Sequence, residues 1–281
     1  MICHRAADPA SVDVVKLALW QCYPTDGRIE EALAAIEAQV VAASAAGAHL
    51  LVAPELYLPG YDRPDLHAVL SQPLDGEWMT RLGEVARRAG CGICLGWAER
   101  DGDQVYNAAT LIGPDGQVRI HYRKVQLFGD MEAKSFTRGT TLAPVTEIGD
   151  RRVGLLVCYD IEFPGHAAAL AAAGADLILV PTANPAGFEH VQRVLVPARA
   201  HENDSVVVYA NYVGSEGAVT FGGLSLAAGP DGLPLAVAGA LGEALLVVDL
   251  AAADAVAHDV RSELVGEYRP VPLHPAPDSR P

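Results

Sequence analysis

Four side chains in this sequence are of the kinds that break acyl bonds: Cys158, Glu55, Lys124 and Glu132. Cys158 sits in LLVCYDIEFPG (155–165), where apolar residues run into a cysteine, an acid-bearing turn and a proline. Most cysteines are small buried hydrophobes, and one in mid-strand would be ordinary packing. At the last position of a strand, just before a helix, a thiol is presented instead. Free backbone N–H groups there, such as that of Tyr159, face whatever the sulfur attacks. Those dipoles lower a thiol pKa and stabilise an oxyanion. Such a nucleophile needs a base. Glu55 closes the apolar run AHLLVAPEL (48–56), where partial desolvation raises a carboxylate towards a range useful for accepting a thiol proton. Taken alone it reads equally as a surface loop glutamate. Lys124 follows the strand-like VRIHYRK and precedes VQLFG. It is either a solvated lysine or a fixed positive charge for a developing oxyanion. Glu132, in FGDMEAKSF, would by itself pass as a loop charge.

The elements that must position these residues follow a repeated order. VDVVKLALWQC (12–22) reads as a buried strand, and residues 26–46 carry Ile29, Leu33, Ile36, Val40 and Val41 at helical spacing behind an Asp26 cap. A strand over 48–56, a helix over 77–89 and a strand over 91–99 come next. A hairpin then turns at Gly113-Pro114-Asp115-Gly116. The second half reads strand (151–159), Ala-rich helix (164–174), strand (176–182), helix (190–203) and strand (205–214). It ends in a hairpin with the same turn at 229–232. Strand–helix–strand–helix followed by a hairpin, twice, predicts an α/β fold of two sheets related by an internal pseudo-two-fold, with helices on both outer faces. Residues 1–13 read as a flexible arm, 14–268 as one domain and 269–281 as an extended Pro-rich tail.

PELYLPGY (54–61), YRKVQLFGDME (122–132) and LLVCYDIEFP (155–164) resemble the three signature regions of the nitrilase, or carbon–nitrogen hydrolase, superfamily. The resemblance runs in order from about residue 14 to 250. It implies a four-layer αββα sandwich that pairs into an αββα–αββα dimer, and it places a Glu–Lys–Cys triad on Glu55, Lys124 and Cys158 with a second glutamate at Glu132. Tyr159-Asp160 after the cysteine is similar to the amidase branches, where nitrilases carry Trp-Glu. CYDIEFP, LILVPTAN and VPARAHEND are most similar to 5-aminopentanamidases and stereoselective amidases. The sequence departs from that group after Asn184, in PAGFEHVQ, which leaves fine substrate choice open. The resemblance thus implies hydrolysis of small aliphatic carboxamides through a cysteine thioester, with Tyr159, Glu162 and Asn184 near oxyanion and substrate. Glu162 either meets the substrate and repels a distal carboxylate or caps the helix starting near Pro164. Loss of any triad member should abolish turnover and leave the protein folded. Nitrile or N-carbamoyl hydrolysis by the same residues is the second reading, and a non-catalytic binding protein or thiol sensor the third.

Composition narrows the field. The chain has 281 residues, 51% hydrophobic and 20% charged, with a formal charge of −15. A large core follows, and the acidic balance opposes nucleic acid and anionic lipid alike. Five cysteines without scaffold-like spacing, and an opening MICHRAADPASVDVVK without an apolar signal region, point to a reducing, cytoplasmic setting. Cys91 and Cys94 look like a metal or redox pair, but in a strand such a spacing puts them on opposite faces. No metal or other cofactor is implied. Arg199, Glu202 and Asn203 read as a helix-end hydrogen-bond network supporting the site.

Overall fold

The computed structural model describes residues 16–267 and Arg269. The N-terminal arm, the start of the first expected strand and nearly all of the Pro-rich tail lie outside the described residues.

Apolar runs too short to hide themselves are buried by stacking two six-stranded sheets. The first holds β1 (Lys16–Gln21), β2 (Leu50–Val52), β3 (Gly92–Asp101), β4 (Gln104–Ile112), β5 (Val118–Arg123) and the late strand β14 (Ala244–Asp249), in the order β14-β1-β2-β3-β4-β5. The second holds β6 (Thr146–Ile148), β7 (Arg151–Leu155), β8 (Leu177–Pro181), β9 (Val206–Ala210), β12 (Leu226–Ala228) and β13 (Pro234–Val237), in the order β13-β12-β9-β8-β7-β6. A small ribbon, β10 (Ser215–Glu216) with β11 (Val219–Thr220), stands apart. Each sheet has an antiparallel edge strand, three parallel strands and an antiparallel hairpin. The expected pseudo-two-fold therefore pairs β1 with β7, β2 with β8 and β3 with β9.

Leu17, Leu19, Leu50 and Val52 pack with Val153, Leu155, Leu177 and Leu179 in the core between the sheets. The opposite face of the first sheet meets α1 (Ile29–Ala45) through Leu33, Ile36 and Val40, and α3 (Glu77–Ala89) through Leu82, Val85 and Ala86. Beyond the second sheet, α5 (Pro164–Ala172) and α6 (Val196–Glu202) seat Leu170 and Ala200. Four layers result, α-β-β-α. Cys94 lies in the core between sheets and Cys91 in the outer one, as strand alternation requires. Among the described residues no helix is long and apolar enough to cross a membrane.

Several local expectations are corrected. Asp26 does not cap α1: Asp26 and Gly27 form a left-handed turn (φ 50° and 78°), the Asp26 carboxylate turns to Arg28, and Arg28 precedes the helix. The helix expected over 190–203 is present, but Val191–Leu195 is wound as a wide π-type turn that runs directly into α6, where Pro197 has no N–H to donate. The strand leading to Cys158 stops at Leu155, so the thiol lies beyond the strand in a 3₁₀ turn, Cys158–Glu162. Helices α2 (Pro64–Leu70) and α4 (Gly129–Ser135) and strands β6, β10, β11 and β14 are among the elements with no counterpart in the sequence reading.

One glycine ties the sheet to the site. Gly96 on β3 donates its N–H to Pro54 O at 2.9 Å and accepts from Tyr57 N at 2.8 Å. A Cβ there would stand 2.5 Å from Leu56 N and 2.8 Å from the Glu55 carbonyl carbon, both backbone atoms that cannot swing away. Gly96→Ala should therefore destabilise the protein by about 1–3 kcal/mol through overpacking and displace Glu55. Urea unfolding together with a turnover assay checks this; wild-type values in both would refute the close approach.

Candidate active site

The four residues singled out at the start meet at one end of the sandwich. Glu55 lies beyond β2, Lys124 directly after β5, Cys158 beyond β7, and Glu132 on α4. Backbone bonds fix each approach: Glu55 N donates to Thr182 O at 3.3 Å, Lys124 N to Asn107 O at 2.8 Å, and Gly139 N to Lys124 O at 2.8 Å. The Tyr212 hydroxyl donates to Glu55 O at 2.9 Å, joining the first sheet's loop to the second sheet.

Lys124 is fully buried, as are both of its partners. Its Nζ donates to Glu55 Oε1 at 2.6 Å and to Glu132 Oε1 at 2.8 Å. Glu132 also accepts from the Tyr61 hydroxyl on Oε1 (2.9 Å) and from Phe128 N on Oε2 (3.1 Å). Glu55 is served less evenly. Asn107 Nδ2 donates to the same Oε1 at 2.7 Å, and Oε2 is buried with no hydrogen-bond partner. Native proteins rarely leave a buried carboxylate oxygen so, and the exceptions call for a functional cause.

The electrostatics follow from burial. Desolvation pushes Glu55 up to about 7, although the Lys124 charge pulls the other way. Burial alone would strip Lys124 of its proton. The charges of Glu132 and Glu55 outweigh that and hold it well above the usual lysine value, so it remains a cation. For Cys158, burial and then the Glu55 charge push the thiol well up, against the opposing pull of Lys124, Thr182 and the Ala183 N–H. The sequence expectation of a lowered thiol pKa is therefore overturned: a 3₁₀ turn of five residues is too short a dipole to offset the cost of burial. After burial, the Glu55 charge is the largest influence on the thiol, so the two groups are electrostatically linked. Cys158 also takes a left-handed backbone, φ 45°, which costs a non-glycine residue roughly 1–2 kcal/mol. Such strain persists only where the surroundings enforce it.

The residues expected around substrate divide. Tyr159 is half-buried and packs edge-on against Phe128 (5.2 Å between centroids) and Phe163 (5.0 Å), and Phe128 meets Phe188 in the same way at 5.8 Å. Glu162 does not cap α5, which begins without any side-chain cap bond. Its carboxyl is half-buried and raised by desolvation, with the charges of His190, Lys124 and Arg199 opposing. Asn184 is differently placed. Its Nδ2 donates to Phe188 O at 3.1 Å and to Gln192 Oε1 at 3.0 Å, so its amide donors hold the 184–192 loop instead of facing a ligand. Arg199 donates to the carbonyls of Ile161 and Glu162 at 3.0 Å each, and Asn203 Nδ2 donates to Arg199 O at 2.8 Å. The helix-end network thus braces the turn that carries Cys158. Tyr61, Asn107 and Thr182 were not singled out from sequence. Asn107 alone left a signal, a polar side chain set in the apolar strand VYNAATLI.

Comparison with known proteins places the whole fold. The model of the carbon-nitrogen hydrolase family matches residues 16–258. A protein of Pseudomonas protegens described as "Hydrolase in pqqF 5'region" is 43% identical over 85% of this chain and 83% of its own length. An (R)-stereoselective amidase from Pseudomonas sp. is 36% identical over 71% of this chain and 72% of its own. Among solved structures, a mutant amidase from Nesterenkonia sp. AN1, carrying acrylamide added at its active-site cysteine, superposes with a TM-score of 0.83 at 36% identity. It covers 91% of this chain and 96% of that one.

Full burial of Lys124 gives its removal a cost in stability as well as in turnover. Lys124→Ala would abandon two buried carboxylates, at a cost of about 3–5 kcal/mol near pH 8. Without the cation, Glu55 loses the charge that pulls its pKa down, so its folded value stands further above its unfolded one. The penalty is then greatest at high pH and shrinks as pH falls towards the unfolded carboxylate range. Urea titrations of both proteins at pH 5 and pH 8 should show the gap narrowing in acid; an equal gap would exclude the charge as its source.

Proposed function

Because the chain belongs to the carbon–nitrogen hydrolase family, we propose that it is an amidase that cleaves small aliphatic carboxamides to carboxylate and ammonia through a thioester on Cys158. The observation that carries this reading is Glu55. One of its oxygens is held by Lys124 and Asn107, the other is unpartnered, and its pKa lies at about 7. In the proposed reaction Glu55 accepts the Cys158 proton as the sulfur attacks the amide carbon. The oxyanion is held by the Lys124 ammonium and the Tyr159 N–H. Glu55 returns the proton to the departing nitrogen, ammonia leaves, and a thioester remains. Glu55 then takes a proton from water as the water attacks the thioester, and passes it to the thiolate as the carboxylic acid is released. Glu132 keeps Lys124 in place. A thiol-sensor role fits poorly: sensing cysteines are accessible and of low pKa, whereas Cys158 is 6% exposed and its thiol is raised.

The half-buried Glu162 carboxylate bears on substrate charge. It would repel a distal carboxylate and tolerate a neutral chain or a distal amine. We therefore expect ammonia release from pentanamide and 5-aminopentanamide to exceed that from glutaramate, with kcat/KM as the measure. Intact mass with acrylamide should show one adduct, mapping to Cys158. Ammonia from nitriles but from no amide, or an adduct confined to Cys91 or Cys94, would overturn the amidase reading.

A pH profile tests the base. Glu55 must be ionised in the free enzyme to accept the thiol proton, so kcat/KM should climb about tenfold per pH unit below neutrality and level off above about 7. Lys124, held cationic, adds no decline in that range. A flat profile from pH 5 to 8 would remove Glu55 from this role.

A further inference from the structure

Asp160 is a fully buried carboxylate that makes no contact with the Glu55–Lys124–Glu132 cluster through hydrogen bonds, yet it joins the two segments whose side chains must face each other. Its Oδ1 accepts from Gln126 N at 2.8 Å, and its Oδ2 accepts from the Tyr122 hydroxyl at 2.9 Å and from Val157 N at 3.2 Å. Tyr122 and Gln126 flank Lys124 in the chain; Val157 and Asp160 itself enclose Cys158. Asp160 N closes the turn by donating to Val157 O at 3.0 Å. The left-handed cysteine is thus spanned from both sides by one residue, through its backbone and its side chain.

We propose that Asp160 is a positioning residue. Its carboxylate holds the strained backbone of Cys158 and fixes the nucleophile's turn against the segment carrying Lys124, and it touches neither substrate nor reacting atoms. The chemistry of the side chain matters because three donors converge on two oxygens. A carboxylate accepts all three, whereas an asparagine offers one oxygen and sets an NH₂ where an acceptor is required. This inference rests on the amidase reading for its kinetic arm but not for its thiol arm.

The test compares wild type with Asp160→Asn, and with Leu170→Ala as a variant destabilised in the core away from this contact. Three quantities are measured: kcat, KM for the best amide, and the rate at which iodoacetamide alkylates Cys158. Asp160→Asn should lower kcat about 10²-fold, as a displacement of reacting groups by about an ångström does. KM should stay within about threefold, and alkylation should slow by at least about tenfold. Leu170→Ala should lose stability and keep all three values. Should Asp160→Asn fail to fold, Tyr122→Phe removes one of the three bonds and must shift kcat and alkylation in the same direction by a smaller factor. If Asp160→Asn folds and keeps kcat and alkylation within twofold of wild type, or if Leu170→Ala loses both to the same extent, the proposal is wrong. If the wild type releases ammonia from no amide, the amidase reading falls, and the alkylation rates still decide the role of Asp160.

Discussion

An ammonium group held between two carboxylates in a dry site leaves one negative charge in excess, and the structure is organised around where that charge can rest. Lys124 cannot be removed from water without both Glu55 and Glu132, since a lone buried cation would simply lose its proton. The two acids are supported unequally. Glu132 receives donors on both oxygens, from Lys124, Tyr61 and the Phe128 amide. Glu55 receives both of its donors on one oxygen. The excess is therefore least supported on Glu55, whose pKa moves to about 7. Burial is the largest cause of that rise, and the donors on Oε1 and the Lys124 charge only moderate it.

Holding that arrangement is a matter for the whole sandwich. The participants come from the ends of β2, β5 and β7 and from α4, so their separations depend on how one sheet sits on the other. Tyr212 of the second sheet's side reaches the Glu55 carbonyl, and Thr182 O receives the Glu55 N–H. Gly96 lets the Glu55 loop lie directly on β3. Each contact joins backbone to backbone or backbone to a rigid ring, where little freedom remains to absorb error. A close-packed interior transmits displacement instead of damping it, so a site built between layers inherits their registry.

What could be read from the sequence follows the same physics. The layered α/β fold was legible because apolar periodicity is local in the chain, whereas the grouping of Cys158, Glu55, Lys124 and Glu132 came from the resemblance of their motifs to a family. Helix α3 agrees with the expected 77–89 because its apolar positions recur with a clear helical period. The seven-residue α2 and α4 were illegible for the opposite reason: two turns carry too few positions to establish a period. The thiol's pKa direction could not be read, since it depends on burial depth and on Glu55, which lies about a hundred residues earlier in the chain. Asn184 meets the same limit of sequence reading. Its type suits ligand binding, and only the fold shows its donors turned to Phe188 O and Gln192.

The pseudo-two-fold separates placement from chemistry. Strand β1 corresponds to β7, and each is followed by a Cys-Tyr pair: Cys22-Tyr23 after the first, Cys158-Tyr159 after the second. Both cysteines are buried, and burial raises both thiols. Their charged surroundings differ. Cys158 has Lys124 pulling its pKa down and Glu55 poised to take its proton, whereas the charge that acts on Cys22 is Glu243, which raises it further. A buried cysteine shortly after this strand is therefore a position the fold supplies twice. What makes one of them a candidate nucleophile is the Glu55 and Lys124 that the first sheet's β2 and β5 bring across to it, for which the ends of β8 and β13, Thr182 and Ala238, offer no charged equivalent.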